Sequence, residues 1–198
     1  GHEAMKSSLV SREVIADSVE LSVRGHCYDG LVGLAGCDKS LPGLMMSMVR
    51  LNIPSVFIYG GSILPGKYKG KDLTIIDVFE AVGKHAAGTI DENELKTIEQ
   101  VACPSAGSCG GQFTANTMAC ISEALGLALT HSAMPPAVED YKSSSISKVR
   151  VNYGELAGKT VMDLIEKNIR PRDIVTLESL KNAAVVVAAT GGSTNAGL

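Results

Sequence analysis

LVGLAGCDKSLPGLMMSMVRLNIPSVFIYGG, residues 31–61, decides the fold class. Its two ends, residues 31–36 and 54–61, are short continuous apolar runs that finish in glycine, which is typical of buried strands. Between them, from about Pro42, apolar residues recur at helical spacing. A strand, a helix and a second strand in this order favour a parallel sheet, because parallel strands need a long crossover that is usually a helix.

Helical patterns dominate the rest of the chain. Ser11 is a candidate N-cap for a helix that would end at Gly25. Residues 62–72 are predicted to form an exposed loop, because they are rich in Gly, Lys and Pro. Further helices are predicted at residues 73–88, 91–102, 112–129, 137–158, 160–169 and 177–192. The sequence therefore predicts one α/β domain over residues 1–198, in which helices flank a parallel sheet as a layered sandwich.

Composition argues against several classes of protein. The net charge of −3 points to neither a nucleic acid nor an anionic membrane as partner. No apolar run approaches the roughly 18 residues of a membrane-spanning helix. The five cysteines favour free thiols or metal ligands in a reducing compartment over a disulfide scaffold. The first residues, GHEAMKSSL, do not resemble a signal peptide, and the chain is expected to begin inside a longer protein.

Reactive side chains lie where the first strand ends. Cys37, Asp38 and Lys39 follow residues 31–36, and Cys109 lies in a glycine-rich loop that precedes a helix. Ligands of open parallel sheets bind beyond the carboxyl ends of the strands. Thiolate sulfur suits iron, whereas carboxylate oxygen suits Mg²⁺. The pattern is therefore consistent with two metal centres that share one loop.

The residues alone leave simpler interpretations of this loop open. Cys37 and Cys109 are 72 positions apart, a separation that matches no local cluster-binding motif. Each of them could instead be a buried structural thiol. Asp38 and Lys39 could form a capping or solvated pair.

Other candidate residues carry weaker signals. The segment GGSTNAG, residues 191–197, could bind an anion, or it could join the end of one helix to the cap of the next. The histidines lack the spacing of metal ligands. Structural or surface roles are expected for the remaining cysteines and histidines, namely Cys27, Cys103, Cys120, His26, His85 and His131.

Seven segments together carry a family resemblance. They are GHEAMKSSLVSREVIADSVE, GCDKSLPG, RLNIPSVFIYGG, CPSAGSCGGQFTANTM, EALGLAL, IRPRDIVT and GGSTNAG. In this order, from the first residue to the last, they resemble the dihydroxy-acid dehydratases. The resemblance implies a homodimeric hydro-lyase that converts 2,3-dihydroxy-3-methyl carboxylic acids to 2-oxo acids in valine and isoleucine biosynthesis. It implies a cytoplasmic enzyme in bacteria or archaea, and a plastid or mitochondrial one in eukaryotes.

The resemblance also implies two cofactors. Members of the family hold a [2Fe–2S] cluster with three cysteines, two of which match Cys37 and Cys109. They bind Mg²⁺ with an aspartate that matches Asp38 and a carbamylated lysine that matches Lys39. Carbamylation would make that lysine an anionic oxygen ligand, which explains an amine beside a metal. Iron would act as a Lewis acid on the 3-hydroxyl group, and Mg²⁺ would hold the carboxylate of the substrate.

The same resemblance predicts ligands that residues 1–198 do not contain. The third cluster cysteine and another Mg²⁺ aspartate would lie upstream of the first residue. The serine base and a further Mg²⁺ ligand would lie in a C-terminal β-barrel domain. Residues 1–198 are therefore expected to be most of an N-terminal domain, incomplete at its start and inactive by itself.

Two alternative functions remain at this stage. A sugar-acid dehydratase of the same superfamily would share the CDK motif, but GHEAMKSSL and SREVIADS favour the branched-chain enzyme. A non-catalytic α/β module could bind phosphate or a nucleotide through its glycine loops. That second alternative lacks the GxGxxG and Walker patterns and leaves CDK unexplained.

Overall fold

The computed structural model describes residues 3–140 and 145–198. In these ranges the helices are α1 (Lys6–Gly25), α2 (Ser40–Leu51), α3 (Ile75–Ala86), α4 (Glu92–Val101), α5 (Thr114–Ala124), α6 (Lys148–Lys167), α7 (Pro171–Ile174) and α8 (Leu177–Ala189). The strands are β1 (Leu31–Ala35), β2 (Ser55–Tyr59), β3 (Gly66–Tyr68) and β4 (Lys71–Leu73), and short 3-10 helices cover Glu3–Met5 and Thr194–Gly197. The predicted α/β class is confirmed.

The parallel pairing of β1 with β2 organises the fold. The register runs from Leu31 opposite Ser55 to Ala35 opposite Tyr59, and α2 is the crossover between the two strands. Both strands therefore point the same way, and their carboxyl ends lie at one edge of the sheet. The parallel sheet predicted from residues 31–61 is confirmed.

Strand β2 is buried on both faces, as expected for a central parallel strand. Phe57 and Tyr59 are fully buried in the main core with residues of α2 and α5. Val56 and Ile58 point the opposite way, because side chains alternate along a strand, and they pack with Val161 of α6 in a second cluster. Helices therefore cover this strand from both sides, which gives the predicted layers.

Strand β1 is covered on one face only within the described structure. A Cβ atom at Gly33 would lie 2.4 Å from Met48 Cε and 2.6 Å from Leu44 Cδ2, so the missing side chain lets α2 approach closely. On the other face Val32 is 41% exposed and Leu34 is 68% exposed. The layered arrangement is thus complete over β2 but not over β1.

Two of the predicted helix starts are wrong. Helix α1 begins at Lys6, so Ser11 is not an N-cap; its hydroxyl donates to the Ser8 carbonyl inside the helix. Helix α2 begins at Ser40 rather than near Pro42. Proline is tolerated in a first helical turn because the N–H it lacks would have no partner there.

The predictions for residues 62–129 are partly wrong. The predicted exposed loop at 62–72 contains the antiparallel hairpin of β3 and β4. Helices α3 and α4 lie where helices were predicted, and Thr74 and Asp91 cap their first turns. Helix α5 is shorter than predicted, because the chain turns at Gly126, where φ is +83°.

The two helices predicted at 137–158 and 160–169 are largely one helix, α6. Gly158 does not break it, since an isolated glycine costs a helix only about 1 kcal/mol relative to alanine. The start of the first predicted helix is wrong, because Val138 instead forms an antiparallel bridge with Ile146. Residues 141–144 of that prediction lie outside the described residues.

The segment 191–197 joins two helical elements. Gly191, with φ of +60°, follows the end of α8, and the Ser193 hydroxyl accepts from the Asn195 N–H at the start of the last 3-10 helix. The Ser193 hydroxyl also lies 2.8 Å from Thr114 Oγ1 of α5. The helix-to-helix interpretation of GGSTNAG is confirmed.

Candidate functional site

The turn after β1 presents a thiol and a carboxylate side by side. The Cys37 N–H donates to Ser40 Oγ at 3.1 Å, and the Ser40 hydroxyl donates to the Cys37 carbonyl at 3.0 Å. These reciprocal bonds fix the backbone between β1 and α2. The Cys37 sulfur is exposed and lies 3.5 Å from Asp38 Oδ1.

Lys39 is buried although it is charged in its ordinary state. It is 8% exposed, and its Nζ lies 3.3 Å from Asp38 Oδ2. Asp38 is its one ion-pair partner among the described residues, and the side chain of Asp38 is 40% exposed. Lys39 thus lies directly before α2, close to the Asp38 carboxylate.

Ser108 joins the loop of Cys109 to the loop of Cys37. Its hydroxyl donates to the Gly36 carbonyl, and its N–H donates to the Gly61 carbonyl at 2.9 Å. Standard bond lengths then place the Cα atoms of Cys37 and Cys109 within about 12 Å of each other. The structure thus brings together two thiols that are 72 positions apart in the sequence.

The segment after β2 completes this edge of the sheet. The Ile63 N–H donates to the Ser108 carbonyl at 2.7 Å, so residues 61–63 run alongside the Cys109 loop. At Gly107, φ is +138°, and a Cβ atom would lie 2.4 Å from the Ile63 backbone nitrogen. Only glycine fits there, because both the conformation and the close backbone contact exclude a side chain.

A pair formed by buried Tyr59 and half-buried Asn116 supports the Cys109 loop. The Tyr59 hydroxyl donates to Asn116 Oδ1, and the Asn116 amide donates to the Cys109 carbonyl at 2.7 Å and to the Gly111 carbonyl. Burial raises the pKa of Tyr59. The phenol therefore stays protonated and keeps its role as a donor.

Arg150 anchors the end of β2 from the opposite side. Its guanidinium donates to the carbonyls of Tyr59 at 2.8 Å, Ser132 at 2.6 Å and Pro135, and it lies 5.3 Å from the centre of the Tyr59 ring. Burial lowers the pKa of Arg150, although arginine remains charged at any ordinary pH. The N–H groups of this one guanidinium thus satisfy several backbone carbonyls that would otherwise be unpaired.

Comparison with known proteins now identifies the family. The model of the dihydroxy-acid/6-phosphogluconate dehydratase N-terminal family matches residues 1–198. The chain belongs to this family. The family resemblance drawn from the sequence is confirmed.

Individual relatives agree with this assignment. The chain is 71% identical to a dihydroxy-acid dehydratase of Pelagibacter ubique and 70% identical to one of Parvibaculum lavamentivorans, in each case over all of this chain and 33% of the relative. It is 55% identical to an archaeal dihydroxy-acid dehydratase of Sulfurisphaera tokodaii, over 99% of this chain and 34% of that relative. The chain therefore spans about a third of the length of the curated relatives it matches.

The donor set fits an iron–sulfur cluster and a hard cation, but only in part. Cys37 and Cys109 offer thiolates that suit iron, and Asp38 offers a carboxylate that suits Mg²⁺. In residues 3–140 and 145–198, no three or more His, Cys, Asp or Glu side chains are grouped to hold a metal. Further ligands would have to come from elsewhere in a longer protein.

Among the remaining cysteines and histidines, Cys120 lies near the Cys109 loop, because the Gln112 side-chain amide is 3.9 Å from its sulfur. Cys27 and Cys103 are exposed, and Cys120 is half-buried on α5. His26 stacks on Tyr28, with the ring centres 5.2 Å apart, which is an ordinary surface contact. None of the helices in the described part of the chain is both long and apolar enough to cross a membrane.

Three supporting residues were missed at the level of sequence. Tyr59 resembles any aromatic residue of a buried strand, and Asn116 and Arg150 resemble ordinary polar positions of helices. Their roles depend on partners 57 to 91 positions away, such as the Tyr59 carbonyl that Arg150 contacts. The sequence did carry one signal for Tyr59. A tyrosine in a buried strand needs a hydrogen-bond partner for its hydroxyl group, which predicts a polar residue nearby.

Cys37 is expected to be a weak nucleophile in the metal-free protein. Although the residue is exposed, partial burial of its sulfur raises the pKa of the thiol above its ordinary 9.0. The Asp38 backbone N–H lowers the pKa, whereas the charge and the side-chain hydrogen bond of Asp38 raise it. The pH at which half of the Cys37 thiol has become the reactive thiolate should therefore lie above 9.0. Iodoacetamide labelling of the metal-free full-length protein, followed peptide by peptide with mass spectrometry, measures the midpoint.

Asp38→Asn provides the comparison for this experiment. It removes the carboxylate charge but keeps the backbone N–H, so the labelling midpoint of Cys37 should fall toward its ordinary value without reaching it. A wild-type midpoint at or below pH 9.0 would contradict the assignment of burial as the main cause.

Proposed function

We propose that this chain is part of a dihydroxy-acid dehydratase, which removes water from 2,3-dihydroxy-3-methyl carboxylic acids to give 2-oxo acids. The observation that carries the proposal is the joining of the Cys37 and Cys109 loops through Ser108. The names of the relatives support the reaction class. Valine and isoleucine biosynthesis, a homodimer and a cytoplasmic location in bacteria or archaea belong to the same proposal and rest on the family resemblance.

Cys37 and Cys109 would hold an iron–sulfur cluster of the [2Fe–2S] type. Both thiols are exposed at the end of the sheet, and their backbones are fixed by hydrogen bonds from Ser40 and Asn116. Binding iron requires each thiol to lose its proton, so the raised pKa of Cys37 makes assembly of the site dependent on pH. When bound, the cluster and Mg²⁺ would supply Lewis acidity to the hydroxyl and carboxylate groups of the substrate.

Asp38 and Lys39 would hold Mg²⁺ beside the cluster. The Asp38 carboxylate is partly exposed and already points toward both Cys37 and Lys39. As an ammonium group, Lys39 would repel the cation. Reaction of its amine with CO₂ would give a carbamate, which would add an anionic oxygen ligand next to the Asp38 carboxylate.

We propose that residues 1–198 do not catalyse the reaction by themselves. Two thiols and one carboxylate are too few ligands for a cluster and a hexacoordinate cation. We therefore propose that residues 1–198 form most of an N-terminal domain, with the remaining ligands and the catalytic base on other parts of the full-length protein. The proportion of each relative that the chain covers supports this view.

A sugar-acid dehydratase is the second candidate, because the matching family model also includes 6-phosphogluconate dehydratases. Assay of the full-length enzyme with 2,3-dihydroxy-3-methylbutanoate and with gluconate or 6-phosphogluconate distinguishes the two. The branched-chain acid should be turned over with a kcat/KM at least about 100-fold higher, because a pocket that fits its methyl groups would offer no hydrogen-bond partners to the extra hydroxyl groups of a sugar acid. A preference for the sugar acid would overturn the assignment.

Loss of either cluster thiol should remove the cluster from the full-length enzyme. Cys37→Ser and Cys109→Ser replace a soft thiolate with a hard oxygen, which binds iron–sulfur clusters poorly. Iron content per chain and visible absorbance are expected to fall to background in both variants. Cys120→Ser is the matched control and should keep both, whereas wild-type iron content in Cys37→Ser would show that the cluster has other ligands.

Lys39→Arg separates the carbamate from a plain structural cation. Arginine keeps the positive charge but cannot carry the carbamate, and a like charge at about 4 Å costs roughly 4 kcal/mol at an effective dielectric constant near 20. The full-length variant should lose turnover and Mg²⁺ affinity while it keeps its cluster absorbance. Lys181→Arg, at an exposed lysine of α8, serves as the control.

In the wild-type enzyme, activity should depend on both CO₂ and Mg²⁺. Removal of dissolved CO₂ and bicarbonate followed by readdition tests this directly. Near-normal turnover and Mg²⁺ affinity in Lys39→Arg would mean that the Mg²⁺ site is built from other residues.

A further inference from the structure

Helix α8 has the sequence of a core helix but is largely exposed. Nine of the thirteen residues in LESLKNAAVVVAA are Leu, Ala or Val, yet Ala183 is its one fully buried residue in the described structure. Leu177 is 68% exposed, Leu180 is 51% exposed and Val185 is 65% exposed. A helix that is apolar around most of its circumference is typically buried on several sides. In the described structure α8 has its main packing contact, with α5, on one side.

An apolar groove runs between α8, α5 and α2. Its volume is about 590 Å³, and its walls include Met45, Met46, Met118, Leu180, Ala184 and Val187. We name this feature the α2–α5–α8 groove. Methionine side chains are flexible and adapt to the shape of an apolar partner.

The groove is unsuited to a polar small molecule. Among the described residues that line it, the one polar or charged side chain is Arg50, whose guanidinium already donates to Asp17 at 2.6 Å. Sites for polar ligands need several convergent donors or acceptors. A dihydroxy acid would lose its hydrogen bonds to water in this groove, so the occupant must itself be apolar.

The path of the chain indicates which apolar segment this is. Ala196 and Gly197 form part of the wall of the groove, so the chain passes along its rim just before Leu198. Leu198 is itself 78% exposed. The relatives are about three times as long as this chain, so a full-length protein has ample further sequence.

We propose that the segment which follows residue 198 in the full-length protein packs an apolar face into the α2–α5–α8 groove. A covalently attached segment is present at an effective concentration in the millimolar range, which favours it over a second copy of the protein. The proposal rests on the length of the relatives and on this groove, and it is independent of the metal ligands.

Thiol labelling of the full-length protein tests whether the groove is covered. Ala184→Cys places a thiol in the groove wall, and Asn182→Cys places one on the same helix outside the groove. With a maleimide reagent and peptide-resolved mass spectrometry, the Ala184→Cys thiol should react at least about 100-fold more slowly, because it becomes accessible only by local opening. In denaturant the two rates should be equal, and native rates within threefold of each other would overturn the proposal.

Photocrosslinking identifies the occupant. A benzoylphenylalanine residue at Leu180 of the full-length protein should crosslink to a peptide that begins within about 40 residues after position 198, a length that allows one turn and a helix. A mixture of isotopically light and heavy chains should give crosslinks within one chain only. Light-to-heavy crosslinks would identify a second copy instead, and a peptide from before residue 1 would identify another segment; either result overturns the proposal.

Discussion

The parallel hydrogen bonding between β1 and β2 is the constraint on which the candidate site depends. It makes both strands end at one edge of the sheet, where the Gly60 N–H still donates to the Ala35 carbonyl at 2.9 Å. The two loops that follow the strands therefore leave side by side. Ser108 then bonds to Gly36 from one loop and to Gly61 from the other. Without this pairing, nothing would bring the thiols of Cys37 and Cys109 near each other.

The polar side chains around Tyr59 support this arrangement. Removing them from water is unfavourable, and their hydrogen bonds inside the protein offset that cost. A buried guanidinium is unfavourable unless it is fully paired, and Arg150 donates to several backbone carbonyls. Asn116 satisfies carbonyls of the Cys109 loop in a similar way. Such networks hold a loop in one conformation, because each alternative leaves a buried polar group without a partner. These hydrogen bonds therefore fix the backbone that carries the exposed thiols.

Two independent features support the proposal that residues 1–198 adjoin further parts of a longer protein. The proposed metal donors Cys37, Cys109 and Asp38 are fewer than an iron–sulfur cluster and a cation would require, and they lie at the open edge of the sheet. Apolar surface is also uncovered, on the outer face of β1 and along α8. The proposal therefore places the site at a boundary, as is common for ligand sites between domains.

The sequence by itself determined the parallel β1–α2–β2 unit, most helices and the family. The secondary structure follows from local periodicity, and the family follows from characteristic sequence motifs. Neither signal depends on contacts between distant residues. It did not determine where α1 and α2 begin or that α6 is continuous, because tertiary packing outweighs propensities of about 1 kcal/mol or less per residue. The tertiary structure alone decided which loops meet and that Lys39 is buried. Its hydrogen bonds also gave Tyr59, Asn116 and Arg150 their supporting roles, because each depends on partners that the local sequence does not specify.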